Sequence, residues 1–282
     1  MKCDVCFREC EIREGASGFC GARTCTDGRI AAGNYGMITS LALDPIEKKP
    51  LARFMPGSMI LSAGSYGCNL RCPFCQNHEI SYGPGVKEMK EEAVYLDPEE
   101  LAGRAASLVP RGNIGLAFTY NEPLIGWEYV RDAAACSKKL GMKNAVVTNG
   151  TASLRVLGEI APFIDAMNID LKSFSDECYK SVLGGSRRMV MDFIQEAFSA
   201  GIHVEVTTLV VTGMNDNETE IRELASWLAS LDGGRGRDIP LHLSRFFPRF
   251  HMTDREATDV RLIYRLADVA RGILRYVYTG NC

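Results

Sequence analysis

The chain has 282 residues, enough for one large domain or for one domain with an appendage. Hydrophobic residues make up 46% and charged residues 24%, with a net charge of −3, which argues against a broad basic surface for nucleic acid or anionic lipid. No apolar run is long enough to span a membrane, and Met1-Lys2-Cys3-Asp4 does not read as a secretory signal, so a cytoplasmic protein with no membrane or nucleic-acid partner is expected.

The cysteines depart from the ordinary. There are eleven, and eight fall before residue 76. An odd number in a long chain without a signal does not suit a disulfide framework, and clustered thiols in a reducing compartment bind metal more often. Residues 1–35 are rich in Cys and Gly with little apolar periodicity, and read as a small metal-binding knuckle that needs a staple. Within them Cys3, Cys6, Cys10 and Cys20 give C-x2-C-x3-C-x9-C, with Cys25 beyond. Tetrahedral zinc fits such a knuckle and is preferred, and a second iron–sulfur cluster able to relay electrons also fits. Residues 36–58 read as a connector containing Asp44-Pro45-Ile46-Glu47-Lys48-Lys49-Pro50.

From residue 59 to 282 short apolar runs alternate with helical patterns, as in βα units on a parallel sheet. Strands are expected near Met59–Tyr66, Ile114–Tyr120, Asn144–Thr148, Ala166–Leu171, His203–Val210 and Pro240–Phe246, with a closing run at Leu274–Tyr278. Helices are expected near Pro98–Leu108, Gly126–Leu140, Ser153–Ile160, Met189–Ala200, Glu218–Leu231 and Arg255–Gly272. Six βα units are too few for a complete eight-stranded barrel, and a doubly wound sheet competes. Side chains alternate along a strand, so Asn168, Asp170 and Lys172 share one face, as do His203, Glu205 and Thr207, and His242 and Ser244. Those polar faces need polar company, which favours an α/β fold with a partial (β/α)6 TIM-type barrel around a polar ligand. Cys136 and Cys178 lie in helical patterns and read as packing residues, while Gly184-Gly185 and Gly233-Gly234-Arg235-Gly236 lack the context of phosphate loops.

The central motif is Cys68-Asn69-Leu70-Arg71-Cys72-Pro73-Phe74-Cys75, a C-x3-C-x2-C directly after the first expected core strand. Three thiolates on a four-iron cubane leave one iron open to the amino and carboxylate groups of a methionine-like ligand, and Phe74 would keep water off. A structural zinc would need a fourth ligand such as His78, but a three-residue gap between the first two cysteines is not the usual zinc-knuckle spacing.

With an aromatic residue before its last cysteine, this motif resembles that of the radical S-adenosylmethionine (SAM) superfamily. Cys75-Gln76-Asn77 and Asp170-Leu171-Lys172 resemble the pyruvate formate-lyase activating enzymes. The N-terminal cysteines, Asp44–Leu51, Tyr120-Asn121-Glu122-Pro123, Ser244-Arg245-Phe246 and Tyr276–Asn281 resemble the radical SAM protein of the AmmeMemoRadiSam system, whose longer members continue past Cys282 with another cysteine pair. The resemblance implies that Cys68, Cys72 and Cys75 hold a [4Fe-4S] cluster. It places Phe74, Asn77, Tyr120, Asn121, Glu122, Asn149, Asp170, Lys172, Thr207 and His242 around SAM. Tyr120 and Asn121 replace the glycines of a Gly-Gly-Glu segment, Glu122 keeps its acidic position, and Thr148-Asn149-Gly150 follows Val147 where the activating enzymes have Asp. Lys172, paired with Asp170, serves the SAM carboxylate by the same resemblance.

The expected reaction is reductive cleavage of SAM to a 5′-deoxyadenosyl radical, with electrons from a donor such as flavodoxin or ferredoxin. For the use made of that radical, glycyl-radical activation of a partner protein is the first reading. Radical modification of another protein or a small molecule is the second, and a non-catalytic iron–sulfur electron-transfer protein the third.

Overall fold

In a computed structural model the backbone is described from residue 1 to 282, and all side chains except those at 83–85, 87 and 88. The N-terminal segment carries a hairpin, β1 (Arg23–Thr26) and β2 (Arg29–Ala32), that turns on Asp27-Gly28, both at positive φ as a tight primed turn requires. Two strands follow, β3 (Met37–Ile38) and β4 (Ser40–Pro45). The core opens with β5 (Met59–Gly64), then α1 (His78–Ser81), α2 (Gly83–Glu92), β6 (Val94–Tyr95) and α3 (Pro98–Ser107). Strand and helix then alternate through β7 (Asn113–Phe118), α4 (Trp127–Lys139), β8 (Lys143–Thr148), α5 (Leu154–Ile160), β9 (Ala166–Asp170) and α6 (Arg187–Ser199). The chain ends with β10 (His203–Val210), α7 (Glu218–Ser230), β11 (Leu241–Arg245), α8 (Val260–Arg271) and β12 (Val277–Gly280). Helix starts are written locally: Asp97, Ser186, Asn217 and Asp259 each cap a following helix by accepting a backbone N–H.

One eight-stranded sheet runs β4-β5-β7-β8-β9-β10-β11-β12. All neighbours in it pair in parallel except β4, which is antiparallel to β5. From β5 onward spatial order follows chain order. A doubly wound sheet reverses order at a switch point, so the competing architecture is not present. Six βα units, β5 to β11 with their helices, form the α/β, partial-barrel arrangement expected. The segment read as a connector supplies the edge strand β4, so it belongs to the sheet.

That segment also fills the lower end of the barrel. Leu51 is fully buried, in one cluster with Ile46, Ile60, Ala117, Ala145 and Ala166. The alanines of β7, β8 and β9 leave the room that Leu51 occupies. Next to it Glu205 of β10, with no exposed surface, accepts the backbone N–H groups of Ala52 (3.0 Å) and Arg53 (2.7 Å), and Asn168 donates to the carbonyl of Pro50 (2.8 Å). The polar strand faces therefore meet the chain's own residues 50–53 at this level, where a bound ligand was expected.

Between β5 and β7 the register shifts by one residue, and Asn113 repairs the break. Its Oδ1 accepts the N–H of Leu61 (2.8 Å), and its Nδ2 donates to the carbonyl of Ala105 (2.7 Å). Asn113→Ala strands both backbone groups and is expected to cost about 2 kcal/mol in urea unfolding, from the price of buried unpaired polar groups. An unchanged midpoint would refute the account.

Candidate functional site

The ends of β5, β7, β8 and β9 bring most of the singled-out residues together. The cysteine loop leaves β5, and it is held from several sides. Arg71 donates from Nη1 to the carbonyls of Cys68 (3.1 Å) and Leu70 (2.9 Å), and its backbone N–H reaches Leu183. His251 N–H donates to Pro73, and Arg8 Nε donates to the carbonyl of Asn69 at 2.7 Å. Gly185, discounted as a phosphate loop, is needed for packing, since a Cβ there would stand 2.6 Å from the Leu70 side chain.

The three thiols act on one another. Burial pushes Cys68 up, and the Glu122 carboxylate and the Cys72 and Cys75 thiols push it further. Burial likewise pushes Cys72 up to about 11, against the pull of the Lys172 ammonium. Buried thiols that raise one another are stable as thiolates only beside a cation, so the donor set suits bound iron. Phe74 is buried edge-on to Phe246, with ring centroids 6.5 Å apart, which closes one side of the loop to water. Tyr82 covers another side: its hydroxyl donates to the Cys72 carbonyl at 3.4 Å, and burial with the three nearby thiols holds its pKa high. His78 stacks on Phe250 at 4.3 Å. Among the described residues no three His, Cys, Asp or Glu side chains close on a single point as ligands of one ion do.

Glu122 is only 4% exposed, unlike a surface carboxylate at a loop end. Its Oε1 accepts the N–H of Leu124 (3.0 Å) and the hydroxyl of Thr148 (2.7 Å), and Oε2 accepts the N–H of Asn149 (2.7 Å). Burial raises its pKa to about 7 against these donors. The carboxylate thus ties the end of β7 to that of β8. Asn149 in turn places Nδ2 3.8 Å from the Cys68 sulfur and 2.9 Å from Asn69 Oδ1.

Tyr120 sits at φ 75°, in the left-handed region that the glycine of the resembling motif adopts freely, and it is held there by its contacts. Its hydroxyl donates to Asp44 (2.7 Å), Lys49 lies 4.5 Å over its ring, and Gly64 leaves room for it, since a Cβ would fall 2.7 Å from the ring. Burial and Asp44 raise Tyr120 to about 12. Asn121 is fully used, accepting from Ser65 N–H and donating to the carbonyls of Tyr66 and Gly67, and Asn77 donates to the Tyr120 carbonyl (2.8 Å). These three side chains brace the loops.

Lys172 donates to Asp170 at 2.8 Å. Burial works against its charge, but Asp170 and Cys72 outweigh burial and hold the ammonium protonated above the ordinary lysine range. This pair faces the cysteine loop. Thr207 and His242 stand level with Asp170 on the next two strands, β10 and β11, in the polar network of the barrel interior. Thr207 donates to Asn168 (3.0 Å), and His242 Nε2 lies 2.6 Å from Glu205 with its ring stacked on Tyr278.

At the N-terminus Cys3, Cys6, Cys10 and Cys20 line one cavity together with Arg8, Arg23 and Asn69. All four are free thiols. The sequence reading missed Arg8, Asn69, Arg71 and Tyr82. Asn69 and Arg71 stand inside the cysteine motif and were legible there, whereas Arg8 and Tyr82 carried no signal.

Comparison with known proteins settles the family. The model of the Radical SAM superfamily matches residues 63–228. The chain belongs to the radical SAM superfamily. It is 37% identical to the uncharacterized protein MJ0808 of Methanocaldococcus jannaschii, over 100% of this chain and 81% of that one. It is 28% identical to the pyruvate formate-lyase-activating enzyme of Clostridium pasteurianum, over 58% of this chain and 67% of the relative. In fold it resembles a radical SAM methyltransferase from Sphaerobacter thermophilus, with TM-score 0.58, 17% identity and coverage of 80% and 67%. It also resembles a domain of the pyruvate-formate lyase-activating enzyme of Bacteroides vulgatus, with TM-score 0.51, 19% identity and coverage of 59% and 99%. The radical SAM family implies a [4Fe-4S] cluster and SAM as cofactors. No helix among the described residues is long and apolar enough to cross a membrane.

Proposed function

We propose that this radical SAM enzyme cleaves SAM reductively at a cluster held by Cys68, Cys72 and Cys75, and acts on its substrate in the manner of a glycyl-radical-enzyme activating enzyme. The observation that carries the cleavage reading is the meeting of these three thiols with the Asp170–Lys172 pair and the Glu122–Asn149 brace at one end of the barrel. When bound, the cluster supplies the electron that breaks the sulfonium–ribose bond, giving methionine and a 5′-deoxyadenosyl radical. The protein positions and shields. Lys172 offers a charged donor to the SAM carboxylate, Glu122 fixes the loop carrying Asn149, and Phe74 and Tyr82 keep water from the sulfurs. The activating-enzyme assignment rests on the resemblance to the Clostridium pasteurianum relative. Cys3, Cys6, Cys10 and Cys20 are read as a second metal site, in a knuckle formed by residues 1–35. The electron donor is of the flavodoxin or ferredoxin class, and the protein is placed in the cytoplasm.

The test is anaerobic reconstitution with iron and sulfide, then reduction by dithionite with SAM. Methionine and 5′-deoxyadenosine in equal amounts are expected, and an intact cluster that yields neither overturns the enzymatic reading in favour of electron transfer. Adding candidate polypeptide substrates then separates a stable glycyl radical, seen by EPR, from another bond change. Lys172→Met is expected to weaken SAM binding about tenfold to a hundredfold, the worth of one charge-assisted hydrogen bond. Equilibrium dialysis on the reconstituted protein measures it, and unchanged affinity would remove Lys172 from the site.

A further inference from the structure

Residues 50–53 do more than fill the lower end of the barrel. Their backbone decides which polar groups two side chains on the wall above them have left to offer. The carbonyl of Pro50 accepts from Asn168 Nδ2 (2.8 Å), so Asn168 turns its Oδ1 to Thr207. The Thr207 hydroxyl must then donate, at 3.0 Å, and it has one hydrogen only. What remains to Thr207 is lone pairs.

The same holds one strand away. Glu205 Oε1 takes the Arg53 N–H (2.7 Å) and His203 Nε2 (2.9 Å), and Oε2 takes the Ala52 N–H (3.0 Å) and His242 Nε2 (2.6 Å). An ionised carboxylate only accepts, so His242 carries its proton on Nε2, and its Nδ1 is an acceptor. That nitrogen bonds to no described residue. The ring is kept from turning by its stack on Tyr278, with centroids 5.2 Å apart. Thr207 and His242 are partners in register on β10 and β11, and each keeps a little exposed surface, 7% and 8%. Backbone groups of residues 50–53 thus set the polarity of a wall they do not belong to.

The level of that wall says which end of a ligand meets it. Asp170 is in register with Thr207, and Thr207 with His242. Neighbouring strands lie about 4.8 Å apart, so His242 stands ~10 Å along the sheet from Asp170. A SAM molecule held by its carboxylate at Lys172 reaches that far with its nucleoside end. The donors of that end are the 6-amino group of adenine and the two ribose hydroxyls.

We propose that the backbone of residues 50–53, acting through Asn168 and Glu205, makes Thr207 and His242 an all-acceptor wall that binds the hydrogen-bond donors of the SAM nucleoside. This rests on the reading of the SAM carboxylate at Lys172. Asn168 and Glu205 are positioning residues, which set the wall without touching the ligand. The opposite tautomer of His242 would present an N–H and select an acceptor, such as a ring nitrogen of adenine.

The wall is tested first without SAM. Long-range 1H–15N spectra of the histidine-labelled full chain, taken before reconstitution, are expected to show His242 protonated on Nε2 alone. A proton on Nδ1, or on both nitrogens, overturns the inference. SAM affinity is then measured by equilibrium dialysis on the reconstituted protein. His242→Gln still offers Glu205 an amide N–H but has no acceptor in the place of Nδ1. It and Thr207→Val are each expected to bind SAM about threefold to tenfold more weakly, the worth of one hydrogen bond. Thr207→Ser keeps the hydroxyl and should bind as the wild type does. His203→Ala takes a donor from the same carboxylate and leaves His242 in place, so it too should keep its affinity. Unchanged affinity in His242→Gln and Thr207→Val overturns the inference, and so does a loss in His203→Ala equal to that in His242→Gln, which would mark a purely structural role.

The ligand side separates the donors and stands in should His242→Gln not fold. SAM analogues with a carbonyl oxygen in place of the 6-amino group, or without the 2′- or the 3′-hydroxyl, are compared with SAM on the wild type. At least one is expected to bind more weakly by the same factor, and three analogues that bind as SAM does overturn the inference. A wild type that binds no SAM at all sinks the cleavage reading and the ligand named here with it, while the spectrum still reports the polarity of the wall.

Discussion

Cys72→Ala is expected to abolish 5′-deoxyadenosine formation while leaving a folded protein. Cys72 is only 5% exposed, and the other two thiols and the Lys172 ammonium all lie close enough to interact with it. Removing its sulfur leaves two thiolates for a cluster that needs three from this loop, and no other thiol of the loop can substitute. The fold loses little. The loop keeps its Arg71, His251 and Arg8 anchors, all of them to backbone carbonyls at other positions or to Cys68 and Leu70. Circular dichroism and a thermal midpoint near that of the wild type should accompany the loss of product and of the loop's iron. Two controls sharpen the result. Cys136 lies in α4 and Cys178 is buried outside the cysteine loop, so Cys136→Ala and Cys178→Ala should keep product formation. Undiminished product in Cys72→Ala would contradict the assignment.

Glu205→Ala should cost about 3–5 kcal/mol of stability, or a midpoint lower by ~10 °C. Four donors converge on this carboxylate. They are the backbone N–H groups of Ala52 and Arg53, His203 Nε2 at 2.9 Å and His242 Nε2 at 2.6 Å. A carboxylate only accepts, so both imidazoles carry a proton on Nε2. Burial alone would raise the pKa of Glu205, but the hydrogen bonds from His203, His242 and Arg53 prevail and bring it down to about 2. A carboxylate depressed in the folded state stabilises the fold above its ordinary pKa near 4.5, and that contribution is lost as pH falls from there through about 2. The share at stake is about 3 kcal/mol. Asp44, brought to about 2 by Lys49 and Tyr120 against its own burial, acts in the same direction. Below about pH 4.5, urea midpoints should therefore fall more steeply in the wild type than in Glu205→Gln, which loses the Glu205 part and keeps the others, Asp44 among them. Parallel slopes would show that Glu205 carries no such coupling.

Much of the barrel could be read from period alone. The six core strands and the helices from α3 to α8 lie within a few residues of their expected places, because each is long, apolar on one face and bounded by caps or Gly. Helix α8 starts five residues later than expected, at Val260, where Asp259 caps it. Helices α1 and α2 were not expected; α2 opens on Gly83-Pro84, where Pro is tolerated in a first turn. The use of residues 46–54 had no local signal. A plug is defined by what surrounds it, and Ile46-Glu47-Lys48-Lys49-Pro50-Leu51 has neither helical nor strand period. The candidate site divides the same way. The cysteine motif and the Asp170–Lys172 spacing are local facts and were legible. That Glu122, Asn121 and Tyr120 commit their polar atoms to neighbouring loops depends on residues far away in sequence, and no spacing rule reports it.

The plug bears on where the chain can be cut. The family match begins at residue 63, which invites a shortened version starting at β5. Such a fragment would lack Leu51, leaving the space among Ala117, Ala145 and Ala166 open, and would deprive Glu205 of both its backbone donors. During synthesis the N-terminal part leaves the ribosome first. The segment that must sit inside the barrel is thus already available when the last strands arrive to enclose it. A fragment beginning at residue 63 would have to close around nothing, and the smallest self-sufficient piece of this protein begins before its family boundary.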